Sequence, residues 1–370
     1  MKVIVYGAGS IGNHLTYACR DKGWDVCVCD MSAEALDRMQ NQIYPERYGA
    51  WDKQISCVLA NDVKSEAYDL VIIGTPPDTH VKVAEQALQR HKPKYLLIEK
   101  PLCTPSLEGV WDLYKEAEEL GTKLLVGYNH TLTEHTREVV TKLKQGILGK
   151  PLYLTTCTKE HWGGIFAAHP WLAGPKDSYL GFSSRGGGAL GEHSHALNIW
   201  QYFSSVVGQG RIDEVTAFMC LEQNNGLDYD SLSHLHVKTS TGFQGDITQD
   251  VITQPAKKMA WIQGDECHIE WIVNYDKQHD AFVIGEEPTL FEKTRPDDFK
   301  GEISHIADLL AGSVDYIDSP ISFYRGVETM LVIAAAFKSY KTKKTICIEY
   351  PDYESIRNMV NISQLKESIS

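Results

Sequence analysis

Apolar positions in the first third of the chain fall into short β-branched runs separated by helical patterns. Lys2-Val3-Ile4-Val5-Tyr6 predicts a strand, residues 13–21 a helix, and Asp25-Val26-Cys27-Val28-Cys29 a second strand ending on Asp30. Ser32 is placed as the N-cap of a helix over 33–42, and a weaker strand is expected over 55–59. Tyr68 to Gly74 is nearly continuous in apolar residues, the pattern of a parallel strand buried on both faces. After Thr75-Pro76-Pro77-Asp78 the periodicity turns helical, with Val83, Ala84, Ala87 and Leu88 on one face. Residues 95–98 form the next buried strand. Thr104 and Pro105 read as N-cap and N1 of a helix closed by Gly121, and residues 123–127 complete the set. Strands alternating with helices predict a doubly wound parallel sheet.

Beyond residue 131 the pattern changes. A helix is expected over 134–144, a half-exposed strand over 151–160, and a long irregular stretch over 161–188 that carries Trp162, His169, Trp171, Tyr179 and the glycines 186–188. An irregular stretch of this length inside a compact protein is usually functional, and its aromatic content argues against disorder. A helix over 190–203 follows. Residues 212–285 then alternate as successive strands, with hairpin signals at 239–242 and 264–265, which predicts an antiparallel sheet. Helices over 297–310 and 326–340 and a short strand over 345–350 close the chain. A boundary near 127–131 divides it into domains 1–128 and 129–370, with room for C-terminal helices to pack back on the first.

Composition refines this picture. The chain has 370 residues, 43% hydrophobic and 23% charged, enough for two domains with cores of their own. A net charge of −13 argues against nucleic acid and anionic membrane surfaces as partners. No apolar run approaches the ~18 residues of a membrane span, and a start directly in a core strand leaves no room for a signal peptide. Cysteine is present in odd number, 9, and Cys27 and Cys29 alternate within a strand, as buried thiols in a reducing compartment do. A soluble cytoplasmic protein is the expectation.

The chemistry starts at the first turn. Gly7-Ala8-Gly9-Ser10-Ile11-Gly12 lies between strand and helix, and Asp30 ends the following strand. That is the dinucleotide fingerprint in its structural context. Gly7 permits the turn, Gly9 lets backbone approach a pyrophosphate at the helix N-terminus, Gly12 allows helix and strand to pack closely, and Asp30 accepts from the adenosine ribose hydroxyls. A carboxylate at Asp30, followed by Met31-Ser32 with no arginine, favours NAD over NADP.

Ligands of an open parallel sheet bind at the carboxyl ends of its strands, so Thr75-Pro76-Pro77, Glu99-Lys100-Pro101 and Asn129-His130 are expected to converge with the fingerprint. Lys100 there can hydrogen-bond a substrate hydroxyl and serve in proton transfer. Glu192 and His195, three apart on the expected helix, form a candidate carboxylate–imidazole pair. The glycines 186–188 would let backbone approach a ligand. Trp162, Trp171 and Tyr179 could stack on sugar rings. His193-x-His195 and His234-x-His236 lack the surrounding ligand spacing of a metal centre, and no metal is expected.

Taken in order, Gly7-x-Gly9-x-x-Gly12, Gly74-Thr75-Pro76-Pro77-x-x-His80, Glu99-Lys100-Pro101 and Gly186-Gly187-Gly188-Ala189-Leu190…His195 resemble the glucose–fructose oxidoreductase/inositol dehydrogenase/rhizopine-catabolism (Gfo/Idh/MocA) family. The resemblance implies an α/β protein in which a Rossmann domain precedes an α/β domain built on a large, mostly antiparallel open sheet. It implies an NAD(P)-dependent dehydrogenase acting on a sugar, cyclitol or sugar derivative, assembled as a homodimer or homotetramer through the open sheet. Carried over by position, Lys100 binds the reacting hydroxyl and His195, paired with Glu192, is the acid–base residue. Thr75, Pro76, His80, Glu99 and Asn129 line the cofactor with the fingerprint residues, and His130, Trp162 and Trp171 join Lys100 and His195 around the substrate. Glu192 stands where many members carry aspartate, and His195 follows it by three positions instead of four. Two other readings attach to the resemblance: a redox-neutral sugar-modifying enzyme with transient hydride transfer, and a non-catalytic NAD- and sugar-sensing regulator.

Overall fold

A computed structural model describes residues 1–167 and 169–350. Residues 351–370, the end of the expected second domain, lie outside the described residues.

The first stretch alternates as its apolar pattern requires: β1 (Lys2–Tyr6), α1 (Ser10–Asp21), β2 (Asp25–Asp30), α2 (Ala33–Arg38), α3 (Tyr44–Tyr48), β3 (Ser56–Leu59), β4 (Leu70–Ile73), α4 (His80–His91), β5 (Tyr95–Ile98), α5 (Val110–Leu120) and β6 (Lys123–Val126). The six strands are parallel in the order β3-β2-β1-β4-β5-β6, a Rossmann sheet. Its centre is dry, since every residue of β4 and Leu96, Leu97 and Ile98 of β5 are fully buried. Each such side chain contributes roughly 1.5–3 kcal/mol.

Two helix boundaries differ from expectation. The helix expected over 33–42 is succeeded by further helix to Tyr48 through a π turn, Met39–Ile43. Pro45 has no N–H for the carbonyl four residues back, and Tyr44 N–H bonds Met39 O instead. The helix expected from Thr104–Pro105 starts only at Val110, because Leu107 (φ +52°) and Gly109 (φ +74°) are left-handed. Gly121 closes it in the left-handed conformation, as expected.

The next stretch comprises α6 (Glu134–Lys144), β7 (Pro151–Lys159), α7 (Trp162–Ala167), α8 (Gly188–Glu192), α9 (His195–Val206), β8 (Ile212–Glu222), β9 (Tyr229–Thr239), β10 (Gln244–Asp250), β11 (Lys257–Gly264), β12 (His268–Val273), β13 (His279–Ile284) and β14 (Glu287–Glu292). After it come α10 (Arg295–Ala311), α11 (Phe323–Thr342) and the two-residue β15 (Ile346–Cys347). The second sheet runs β14-β13-β12-β11-β7-β10-β9-β8-β15, with β7–β10 its parallel pair and the other pairs antiparallel. The helix expected over 190–203 is two helices, because His193 leaves helical geometry (φ −98°, ψ 23°).

The chain divides into two compact units. One holds Met1–Cys103, Glu108–Asn129 and Arg295–Phe323; the other holds, among the described residues, Thr104–Leu107, His130–Thr294 and 324–350. In the first, α10 packs on α1, with His14 stacked on Phe299 (4.5 Å, 4°). In the second, Asn198 and Gln201 of α9 are bonded to Thr329 of α11. Among the described residues no helix is long and apolar enough to cross a membrane.

Candidate active site

The fingerprint turn is built from three glycines with different duties. Gly7 has φ +112°, and a Cβ there would lie 2.6 Å from Gly74 O. A Cβ on Gly12 would lie 1.9 Å from Gly7 O, so α1 can seat on β1 only without it. A Cβ on Gly9 would meet no protein atom within 4 Å: the space over it is open, at the N-cap of a helix with no side-chain cap. That is a cradle a Cβ would fill, as a close-approaching pyrophosphate requires. Ile11 is half-buried beside it. Asp30 is held by two backbone donors, Ala8 N–H to Oδ2 (2.8 Å) and Ser32 N–H to Oδ1 (2.9 Å). The fingerprint and the acid are thus one hydrogen-bonded assembly.

The loops after β4 and β5 are tied together by His80. It is buried, with Nε2 2.6 Å from Thr75 O and Nδ1 3.0 Å from Pro101 O. Burial pushes its pKa down to about 4, against the pull of these carbonyls. A neutral ring has one N–H, so it donates to one carbonyl at a time. Thr79 Oγ1 donates within the same loop, reaching Thr75 Oγ1 and Pro76 O at 2.8 Å.

Glu99 turns back beneath its own loop. Its Oε2 accepts from Lys100 N–H (3.3 Å), and a Cβ on Gly127 would fall 2.7 Å from its Oε1. Lys100 itself is half-buried at the strand end. Sequence reading missed Glu302 of α10, fully buried and held above the usual carboxyl range by burial, then by the charges of Glu99 and Asp298. Nothing in the sequence around it marks an acid facing inward, apart from its place on the apolar side of an amphipathic helix. Asn129 is buried, and its Oδ1 has no partner among the described residues, an acceptor that a bound donor would satisfy.

In the second unit, the imidazoles of His130 and His195 stack at 4.0 Å and 18°. The carbonyl of His130 accepts from Thr133 Oγ1 (3.1 Å) and Thr136 Oγ1 (2.8 Å), and Trp271 Nε1 donates to Thr136 Oγ1 (2.7 Å). Glu192 ends α8 and His195 opens α9, so the two do not share one helical face as expected. Glu192 Oε2 accepts from Tyr179 O–H (3.0 Å). His193 is buried, with Nε2 3.2 Å from Glu160 O, whereas His195 is half-buried.

At Gly187 and Gly188 protein fills the space that the backbone was expected to offer a ligand. A Cβ on Gly187 would lie 2.1 Å from Tyr179 O, and one on Gly188 2.0 Å from Asp230 Oδ1. Asp230 was not legible as a functional-site residue, being one polar position in an alternating strand. It accepts from Leu190 N–H (2.8 Å), Ser183 Oγ (3.0 Å) and Ser233 Oγ (2.7 Å), and so anchors α8. Burial raises its pKa to about 6. Gln249 Nε2 donates to the carbonyls of Ala189 (3.1 Å) and Leu190 (3.3 Å).

The stretch 161–188 packs on a small core of its own, Trp162, Leu180, Ala189, Tyr229 and Val251. Trp162 is buried there, its Nε1 donating to Tyr229 Oη (3.4 Å). Trp171 is half-buried against His169 (5.3 Å, edge-on).

Residues 1–128 match the model of the oxidoreductase family with an NAD-binding Rossmann fold named for Gfo, Idh and MocA. Over 156 residues the chain is 31% identical to inositol 2-dehydrogenase 1 of Mycolicibacterium vanbaalenii, a match spanning 41% of this chain and 43% of that relative. Solved structures share the fold over nearly the whole length. An oxidoreductase of Agrobacterium radiobacter, in complex with NAD+, L-tartaric acid and magnesium, aligns over 94% of this chain and 98% of its own, with 17% identity and a TM-score of 0.71. The WlbA dehydrogenase of Bordetella pertussis, in complex with NADH and UDP-GlcNAcA, aligns over 95% and 99%, with 18% identity and a TM-score of 0.69. An NAD-binding oxidoreductase of Klebsiella pneumoniae aligns over 95% and 100%, with 16% identity and a TM-score of 0.74. The match to the Gfo/Idh/MocA oxidoreductase family thus lies in residues 1–128, the stretch that holds the glycine turn and Asp30.

Proposed function

We propose that this protein is an NAD-dependent dehydrogenase of a secondary alcohol on a sugar, cyclitol or sugar derivative. The observation that carries the reading is the open cradle over Gly9 beside an Asp30 carboxylate fixed by two backbone donors. Its preference for NAD over NADP rests on that carboxylate, which would repel a 2′-phosphate.

When bound, NAD supplies the hydride acceptor. The Gly7–Gly12 turn, with Ser10 and Ile11, would hold its phosphates, Asp30 its adenosine ribose, and Thr75, Pro76, His80, Glu99 and Asn129 would form or brace the wall on which it lies. Lys100 would donate a hydrogen bond to the substrate hydroxyl, and His195 would take the hydroxyl proton. His130 braces His195 through their stacked rings, Glu192 is steadied by Tyr179, and Trp171 is positioned on a loop suited to packing against a sugar face. The small core around Trp162 would keep that loop in shape. The family resemblance and the exposed apolar side chains on the second sheet, Phe218, Leu290 and Tyr153, support a homodimer or homotetramer, and the free cysteines, Cys19, Cys29 and Cys103 among the buried ones, favour the cytoplasm.

The test is a panel of sugars and cyclitols with NAD, read as NADH absorbance, using wild type and Lys100→Ala. Substrate-dependent NADH formation in wild type, absent in the variant while NADH affinity is nearly kept, is expected. Turnover by Lys100→Ala at the wild-type rate would sink the assignment. Product formation without net NADH would replace it with a transient, redox-neutral mechanism.

A further inference from the structure

The geometry points to Arg47 as a positioning residue for the dinucleotide phosphates, acting through Ser10; this rests on the dinucleotide reading of the fingerprint. Arg47 comes from α3, outside the fingerprint in sequence. Its Nη2 donates to Ser10 Oγ (2.9 Å) and its Nη1 to Ser10 O (3.1 Å), on the first residue of α1. Nη1 also lies 3.2 Å from His14 Nε2.

The chemistry follows from what each group can do. A guanidinium has donors only, so Ser10 Oγ must accept, and its own O–H is turned away from Arg47 as a donor. By the same argument His14 Nε2 accepts, which places the ring proton on Nδ1, facing Tyr48 Oη. A helix N-terminus whose N-cap is glycine thus gains a hydroxyl oriented to donate and a half-buried cation within hydrogen-bond distance of it. Both favour an anion at Gly9–Ser10, and a charge-assisted contact is roughly twice as strong as a neutral one.

The placement of Arg47 is enforced by aromatic packing. Tyr48 stacks on Tyr17 of α1 (3.7 Å, 2°), Tyr44 meets Tyr48 edge-on (5.2 Å), and Trp51 meets Tyr44 edge-on (5.1 Å). A surface arginine that merely filled space would not need both contacts to the same serine.

The experiment is NADH binding by fluorescence titration, with ADP and adenosine as competing ligands, on wild type, Arg47→Gln and Arg47→Lys, alongside thermal melts. Arg47→Gln is expected to weaken NADH and ADP about tenfold and leave adenosine unchanged, with Arg47→Lys recovering part of the loss. Equal weakening of ADP and adenosine, or no weakening of either, would overturn the role. If Arg47→Gln does not fold, Arg47→Lys decides by the same ADP-to-adenosine comparison. Failure of wild type to bind NADH at all would instead remove the dinucleotide reading, and this inference with it.

Discussion

His130 and His195 lie ring on ring, 4.0 Å apart and 18° from parallel, although 65 positions (195 − 130) separate them in sequence. The carbonyl of His130 is fixed by two threonine hydroxyls, so the stack holds the imidazole of His195 against a rigid partner. His130→Phe keeps a flat ring and should retain kcat within a few-fold, whereas His130→Ala should lower it about tenfold with little change in KM. His195→Ala should cost about 10²–10⁴ in kcat. Steady-state kinetics on the substrate found in the panel reads both. Equal loss in Phe and Ala variants would mean that His130 acts by its own chemistry and not by bracing.

Asp30 accepts from Ala8 N–H of the glycine turn and from Ser32 N–H two residues on. Asp30→Ala should therefore weaken NADH binding about tenfold or more, while NADPH, relieved of the repelling carboxylate, changes less or improves. The ratio of the two dissociation constants is the readout. An unchanged ratio would remove Asp30 from cofactor discrimination.

His80 gives a pH dependence whose sign is set by its depressed pKa, about 4 in the folded protein. The unfolded chain, with an ordinary histidine near 6.5, takes up a proton that the folded protein refuses between those values. Stability is therefore full above about 6.5 and is lost as pH falls toward 4, by about 3 kcal/mol in total. Urea unfolding from pH 7 to 4 should show a slope that is shallower in His80→Gln. Parallel slopes in the two proteins would show that other groups carry the acid sensitivity.

Gly188 and Asp230 are a matched pair, since any side chain at 188 would collide with the carboxylate that anchors α8. Gly188→Ala, at φ +78° and with no room for its methyl, should destabilise by about 2–4 kcal/mol. Asp230→Ala should cost a similar amount by leaving Leu190 N–H and two hydroxyls unpaired. Chemical denaturation measures both. Wild-type midpoints would contradict the anchoring role.

The order of elements and the fingerprint were legible along the chain because both are local. Strand periodicity, a turn that only glycine permits, and an acid at a strand end each need only neighbouring residues. Dry central strands made β4 and β5 readable as unbroken apolar runs, and hairpin turns marked the second sheet. Helix boundaries at 39–48 and 104–110 were less legible, because a proline's missing donor and two left-handed residues act against the prevailing periodicity.

What the tertiary structure alone decided concerns pairs distant in sequence. Glu192 accepts from Tyr179, a break at His193 puts it on a different helix from His195, and Gly187 and Gly188 face Tyr179 and Asp230 instead of open space. Arg47 reaches Ser10, and Glu302 faces Glu99, only through the packing of α3 and α10 in the first unit. Such contacts leave no periodic trace, because a polar side chain's partner is chosen by the fold that encloses it and not by its neighbours in the chain. The proposed dinucleotide turn was therefore written into residues 7–12 and 30, while the contact of Arg47 with Ser10 and the stacking of His130 on His195 emerged only once distant segments met.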